Sequence, residues 1–193
     1  MYNLYLKQNS IQYNMIEKSN NYSRDSVYDL WYQVYFMEMG RNAHYANHKR
    51  KQITDALEPH SYIFTAEIYN TVIGSLRVNF PEDGNISYYK DLYELDTLQV
   101  KSVGIGTRYM VDKAYRGLYI SYHLIDQAIR FLSKMNKKML IIDCSPPVYG
   151  HFEKLGFTDL LGERKSAEYG RVRIMKYDIV QKQKKPHLYI VGE

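Results

Sequence analysis

An arginine and a glycine lie between a predicted strand and a predicted helix. Arg116 and Gly117 follow the apolar run of residues 105–111 and precede apolar residues at three- and four-residue spacing. The first turn of a helix leaves backbone N–H groups unpaired, and its dipole favours negative charge. The stretch therefore predicts a phosphate seat. Its residues are Arg116, Gly117, Leu118, Tyr119, Ile120 and Ser121.

Two arginines lie inside predicted apolar strands. Arg77 interrupts residues 72–80, and Arg108 interrupts residues 103–111. An unpaired charge in a protein interior costs several kcal/mol or more, so such an arginine is paired or binds a ligand. For Arg77 we favour a pair with Asp55 or Glu38 over direct substrate binding. For Arg108 the two alternatives stay open.

Composition narrows the class of protein. The 193 residues include 21 tyrosines and a single cysteine, carry a net charge of +5 and have a pI near 9.0. One cysteine excludes an internal disulfide, and no apolar run has signal-peptide or membrane-spanning character. We therefore expect a cytoplasmic protein with no membrane span and an acidic partner. RNA-binding motifs and zinc spacing are missing from the sequence, and His44 with His48 lacks a third ligand, so we expect neither nucleic acid nor metal.

Periodicity predicts one α/β (α+β) domain over residues 1–193, with helices flanking a mixed, mostly antiparallel sheet. Ser26 and Asp29 resemble a capping box that starts a helix ending near Gly40. Further helices are expected around 49–57, within 85–101, from 115 to 133 with Tyr122 on the apolar face, and over 148–155. Strands are expected at 2–7, 11–17, 61–69, 72–80, 103–111, 139–143, 171–180 and 187–191.

Two motifs resemble the GNAT superfamily of N-acyltransferases. Residues 116–121 (RGLYIS) are similar to its acyl-donor loop R-G-x-G-x-G/A, with Tyr119 and Ser121 in place of small residues. Residues 151–157 (HFEKLGF) are similar to Y-E-K-L-G-F, with Phe152 replacing the tyrosine. The resemblance spans about residues 26–159 and implies splayed central strands that admit the donor. It also implies that residues 116–121 hold the phosphopantetheine arm of the donor.

The N-terminal half resembles one branch, the acyl-homoserine lactone synthases and N-acyl amino acid synthases. Residues 30–40 (LWYQVYFMEMG), then Asp55, then residues 72–80 (VIGSLRVNF) follow its pattern, although Trp31 replaces an arginine. Thr107 and Arg108 match a Ser-Arg pair on the strand before the donor loop, which implies catalytic roles. The same resemblance implies substrate-binding roles for Glu38, Asp55, Arg77 and Tyr149. Tyr149 and His151 also lie near the expected position of the leaving thiolate.

Both groups that the family uses for proton transfer are missing. Ile105 stands where the family has a glutamate, and Phe152 where it has a tyrosine. The nearest carboxylates upstream are Glu94 and Asp96. We predict Glu94 as the general base, half-buried among Tyr88, Tyr89 and Tyr93, because desolvation raises the proton affinity of a carboxylate.

The resemblance implies transfer of a long-chain acyl group from acyl carrier protein to the amine of an amino acid, with tyrosine the expected acceptor. No tightly bound cofactor is expected. Acyl carrier protein is acidic, and residues 41–51 and 130–138 are basic groups that could meet it. The alternatives are an acetyl-CoA-dependent N-acetyltransferase, an acyl-homoserine lactone synthase, and a non-catalytic module that binds acyl carriers.

Overall fold

A seven-stranded sheet forms the centre of the protein. The computed structural model describes residues 10–17, 24–41, 45–83, 86–98 and 100–179. The strands of the sheet are β1 (Gln12–Ile16), β4 (Ser61–Ile68), β5 (Thr71–Asn79), β6 (Val103–Val111), β7 (Met139–Cys144), β8 (Thr158–Ser166) and β9 (Gly170–Asp178), and a separate small hairpin has β2 (Ala46–Asn47) and β3 (Gln52–Ile53). The order in the sheet is β1-β4-β5-β6-β7-β9-β8. Neighbouring strands are antiparallel except β6 and β7, which run parallel.

Helices cover both faces of the sheet. On one face, α1 (Asp25–Tyr32) continues into a π-helical segment (Gln33–Glu38) and buries Trp31 completely. The π-helical geometry is uncommon and often occurs near functional sites. On the other face, α3 (Ile120–Lys134) packs on β4 and β5. Gly74 allows this approach, because a Cβ atom there would lie 2.9 Å from Ile120. The short helices α2 (Ser87–Leu92) and α4 (Tyr149–Lys154) complete the set.

The two central strands separate partway along their length. The pairing of β6 with β7 runs from Val103 and Met139 to Gly106 and Ile142, and both strands continue beyond that point. On its other side β6 bulges against β5, where Arg108 adopts a left-handed backbone with φ of +51°. Such a conformation costs a non-glycine residue roughly 1–2 kcal/mol. The split and the bulge together open the sheet at one place.

The structure confirms the predicted mixed sheet and most of its strands. Several local predictions are wrong. The hydroxyl of Ser26 accepts a hydrogen bond from the Val72 N–H and does not cap α1. Residues 49–57 include the short strand β3 where a helix was expected, and β8 was not predicted. The predicted strands at 2–7 and 187–191 lie outside the described residues. No helix in the described part of the chain is long and apolar enough to cross a membrane.

The helix expected from residue 115 begins at Ile120. Tyr119 precedes it in a left-handed conformation, with φ of +58°. Tyr122, which the apolar pattern placed toward the core, is exposed, and Leu124 and Ala128 supply buried contacts on the helix. The face of the helix that is buried is the one that packs on β4 and β5, and it leaves Tyr122 outside.

Candidate active site

A cleft of about 780 Å³ lies where β6 and β7 separate. One wall comes from the π-helical segment and the residue that follows it, and another from the loop leading into α3. The two separated strands supply its base, and the residues around α4 close the far side. The lining includes Glu38, Arg41, Thr107, Arg108, Arg116, Gly117, Tyr119, Ile120, Ser121 and Asp143.

The predicted donor loop borders this cleft. Gly117 has a φ of +89°, which residues other than glycine rarely adopt, and Tyr119 is 69% exposed. Leu118 differs from its neighbours, because its side chain is buried in the core and not in the cleft lining. The Arg116 guanidinium donates to both carboxylate oxygens of Glu38, at 2.5 and 2.8 Å. Two residues predicted to bind different substrates therefore pair with each other across the cleft mouth.

Beneath the cleft, Asp55 joins two buried arginines. Its Oδ1 accepts from Arg77 Nη1 at 2.6 Å, and its Oδ2 accepts from Arg108 Nη2 at 2.7 Å. Arg77 Nε also donates to Thr107 Oγ1 at 2.8 Å. The expected pairing of Arg77 with Asp55 is thus confirmed. Asp55 and Arg77 lie outside the cleft lining, whereas Thr107 and Arg108 lie within it.

The charges in this group do not balance. Burial acts to raise the pKa of Asp55, but the charges of Arg77 and Arg108 outweigh it and lower that pKa to about 2. One carboxylate therefore faces two guanidinium groups. Arg108 is only 4% exposed, and its Nε and Nη1 have no hydrogen-bond partner among the described residues. A buried, incompletely paired cation in the wall of a cleft favours an anionic ligand.

Trp31 supports the bulge that holds Arg108. Its Nε1–H donates to Ser75 Oγ at 2.9 Å, and the Ser75 hydroxyl donates to the Arg108 carbonyl at 3.0 Å. The guanidinium carbons of Arg77 and Arg108 each lie 5.4 Å from the Trp31 ring centroid, which is cation–π distance. An arginine here, as in the resembled pattern, would add a third cation around Asp55. Tryptophan is uncharged, and its ring instead stabilises the two guanidinium groups.

On the opposite side of the cleft, a tyrosine meets a histidine. Tyr109 Oη lies 3.1 Å from His151 Nε2, and both residues line the cleft. Burial and the nearby charge of Lys154 lower the pKa of His151, so the neutral ring is favoured near pH 7. Phe152, at the position of the missing tyrosine, packs against the Tyr109 ring at 5.2 Å between centroids. Tyr109 thus brings a hydroxyl to the region where Phe152 has none.

Several predicted site residues lie elsewhere. Glu94 is exposed and pairs with Arg164 at 2.9 Å, so the predicted half-buried position among tyrosines is wrong. Asp96 is also exposed and lies 3.3 Å from Lys90. The Tyr149 side chain packs beneath the Arg173 guanidinium and does not line the cleft.

Besides Glu38, the cleft lining includes a second carboxylate, Asp143, which sequence reasoning missed. Its position at the end of the buried run 139–142 was the available signal, since ligand-binding residues often follow the carboxyl ends of strands.

The sheet split, the donor loop and the cleft between them define an acyltransferase of the GNAT-like fold. The family model of the N-acyl amino acid synthase FeeM matches residues 26–178. The chain therefore belongs to the FeeM family of N-acyl amino acid synthases and is an N-acyltransferase. A search of the curated proteins found no match.

Solved structures show the same fold at low sequence identity. FeeM, an N-acyl amino acid synthase from uncultured soil microbes, superimposes with a TM-score of 0.70 at 12% identity, over 95% of this chain and 98% of its own. The acyl-homoserine lactone synthase LasI gives 0.67 at 13%, over 88% and 89%. The CoA-dependent acyl-homoserine lactone synthase BjaI gives 0.68 at 13%, over 88% and 83%.

Proposed function

We propose that the protein transfers a long-chain fatty acyl group from acyl carrier protein to the α-amine of an amino acid, with tyrosine the preferred acceptor. The observation that carries the choice of an amino acid over a simple amine is Arg108. An amino acid brings a carboxylate beside its amine, and the Asp55–Arg77–Arg108 group has one positive charge in excess. Arginine pairs strongly with carboxylates, and Arg108 Nε and Nη1 each have an N–H group left to donate to one.

Aromatic rings lie close to the Arg108 guanidinium. The centroids of the Tyr35 and Tyr45 rings lie 5.0 and 5.3 Å from its guanidinium carbon. Tyr35 lines the cleft together with Tyr89 and Tyr169. A rotation of the half-buried Tyr35 ring would admit a carboxylate, and the tyrosine rings offer faces and hydroxyls to an aromatic acceptor. This environment is the support for tyrosine as the acceptor.

The cleft walls also support a long acyl chain. Apolar side chains from the π-helical segment, β6 and the region of α4 face one another across it, and part of this surface is exposed at the rim. Burying a methylene group contributes about 0.8 kcal/mol, so each added carbon of a bound chain would strengthen binding. The apolar lining residues include Val34, Met39, Met110, Val111, Val148 and Phe152.

The chemistry requires a neutral amine, a positioned thioester and a proton for the departing thiolate. Beyond Gly106 and Ile142 the edges of β6 and β7 are no longer paired with each other, so their backbone groups can bond to the phosphopantetheine arm. Tyr109 with His151 lies where a thiolate near α4 could take a proton. Positioning two reactants contributes a large share of the rate in such transfers.

Positive charge near the cleft mouth supports a carrier protein as the donor. The predicted basic group at residues 130–138 does not contribute to it. Lys134 ends α3, about 21 Å of helix away from Ile120 in the cleft lining, and Lys138 precedes β7, about 13 Å of strand away from Ile142. Lys137 is buried and pairs with Glu82, so it is not available for docking. Lys113 and Lys154 are exposed beside cleft-lining residues. The acidic carrier is therefore expected to dock at the mouth.

Paired charge reversals test this docking. Lys113→Glu with Lys154→Glu should slow transfer from acyl carrier protein by about tenfold at low salt, since steering between opposite charges raises association rates by roughly 10–10³. Lys134→Glu with Lys138→Glu changes the net charge equally at positions away from the cleft and is the control. Equal slowing by both pairs, or a wild-type rate that does not fall with salt, would contradict the proposed docking surface.

Reconstitution with purified components tests the function itself. The protein is incubated with long-chain acyl carrier protein, acyl-CoA or acetyl-CoA, each with a panel of amino acids, and products are identified by mass spectrometry. N-acyltyrosine made fastest from acyl carrier protein is the expected result. Preference for acetyl-CoA, or acylation of amines without carboxylates only, would overturn the proposal.

A further inference from the structure

Asp143 is a carboxylate in the lining of the cleft. It follows Ile142, the last β7 residue paired with β6, and therefore lies at the point where the strands separate. Among the described residues, no lysine, arginine or histidine forms an ion pair with it. Its position next to the split places it beside the path that a thioester must follow.

A buried tyrosine fixes the orientation of this carboxylate. Tyr93 is fully buried after α2 and donates its hydroxyl hydrogen to Asp143 Oδ1 at 2.5 Å. Tyr93 also packs against Tyr89, which lines the cleft, at 5.2 Å between ring centroids. With Oδ1 occupied, Oδ2 is the oxygen left to accept a proton from a substrate.

The surroundings suit a proton acceptor near neutral pH. Burial raises the pKa of Asp143, opposed by the hydrogen bond from Tyr93. The ionisable groups facing it are Tyr88 and Tyr89 from α2, Tyr93 directly after α2, Glu168 from the β8–β9 turn, Arg41 after the π-helical segment, and Cys144 on its own strand. Glu168 opposes ionisation of Asp143 and Arg41 favours it.

We infer that Asp143, oriented by Tyr93, is the general base that accepts a proton from the ammonium group of the acceptor. The proton moves from nitrogen to Oδ2, and the neutral amine attacks the thioester carbonyl. The C–N bond forms as the C–S bond breaks, and the second amine proton ends on the departing thiolate. Asp143 then releases its proton to water. The inference rests on the proposed function only in requiring an amine acceptor.

Asp143→Asn separates a base from a structural role by its pH dependence. Below the pKa of the acceptor amine the variant should lose on the order of a hundredfold or more in kcat, because general bases contribute roughly 10²–10⁴. Above about pH 9 the loss should shrink to severalfold, since the amine is then mostly neutral without help. The KM for the donor should stay within about twofold, because the substitution leaves the backbone groups that can bond to the donor unchanged.

Two further variants complete the test. Tyr93→Phe removes the hydrogen bond that stabilises the carboxylate, so the acid limb of the rate profile should move to higher pH. Asp178→Asn removes a carboxylate that pairs with Lys176 on β9, outside the cleft lining, and should leave the profile unchanged. A loss in Asp143→Asn that is equal at all pH values, or no loss, would overturn the inference.

Titration by NMR gives a readout that does not need turnover. In protein labelled with ¹³C at aspartate carboxyls, the signal missing from Asp143→Asn should titrate above the ordinary aspartate range and move higher in Tyr93→Phe. An ordinary pKa in this experiment would also overturn the inference. If the wild type acylates amines but no amino acid, the proposed function fails, and the kinetic test of Asp143 runs on the amine that is used.

Discussion

Asp55→Asn tests the charged group on which acceptor binding depends. The substitution keeps the shape of the side chain but leaves Arg77 and Arg108 buried without their shared anion. Breaking a buried ion pair by removing one partner costs about 3–5 kcal/mol. The free energy of unfolding should fall by that amount at pH 7. Asp96→Asn, which removes an exposed partner of Lys90, should cost less than about 1 kcal/mol.

The pH dependence of the free energy of unfolding follows from the lowered pKa of Asp55. The pKa of Asp55 falls from 3.8 to about 2 in the folded protein. At about 1.4 kcal/mol for each pKa unit, its ionisation contributes about 2.5 kcal/mol to stability. Because the folded pKa is the lower one, this contribution is complete above about pH 4 and disappears as pH falls through about 2. The difference between wild type and Asp55→Asn should therefore narrow over that range.

Urea unfolding at several pH values measures both effects, and steady-state kinetics measures the consequence for function. We expect the KM for the acceptor to rise in Asp55→Asn, because Arg108 loses the contact that orients it, while the KM for the donor stays close to wild type. A cost below 1 kcal/mol at pH 7, or a constant difference from pH 2 to pH 7, would refute this account of the group.

Three further variants address the cleft mouth and the base. Glu38→Gln should lower the KM for the donor severalfold, because Arg116 is released to meet phosphate. Tyr119→Gly should raise the melting temperature slightly, since relief of the left-handed backbone is worth about 1 kcal/mol, with donor KM equal or lower. Glu94→Gln should keep turnover within about twofold, because its carboxylate pairs with Arg164 outside the cleft.

Each of these expectations has an opposite result. A higher acceptor KM in Glu38→Gln would return Glu38 to the substrate-binding role that the resemblance implies. A higher donor KM in Tyr119→Gly would show that the exposed ring contacts the donor. Loss of a hundredfold in turnover in Glu94→Gln, with substrate binding intact, would restore Glu94 as the base and exclude Asp143.

The sheet was predictable because its central strands are mostly apolar runs with marked turns. Residues 103–111 and 139–143 were predicted to within one residue of the observed strands. The strand β8 was missed because Thr158–Ser166 is half-buried and carries polar residues, so its pattern is weak. The helix predicted at residues 49–57 was wrong for a related reason. Each strand of the hairpin found there has only two residues, which is too few for a periodicity that distinguishes the hairpin from a short helix.

The site was predictable where a local rule decides it. A buried arginine needs a carboxylate, which gave the pair of Arg77 with Asp55. The role of Arg108 depends on a bulge that exists only when β5 and β6 are paired, and no local pattern shows it. Asp143 depends on Tyr93, fifty residues away along the chain, for its orientation. Such contacts across the fold are what a single sequence leaves open.

A comparison of tyrosine with tyramine tests the central claim most directly. The two acceptors share the ring and the amine, and only tyrosine has the carboxylate that Arg108 would bind. Leaving a buried charge without its partner costs about 2–5 kcal/mol, so kcat/KM with acyl carrier protein as donor should favour tyrosine by roughly 30-fold to several thousandfold. Arg108→Gln should remove most of that preference. Equal acylation of tyrosine and tyramine by the wild-type protein would contradict the account.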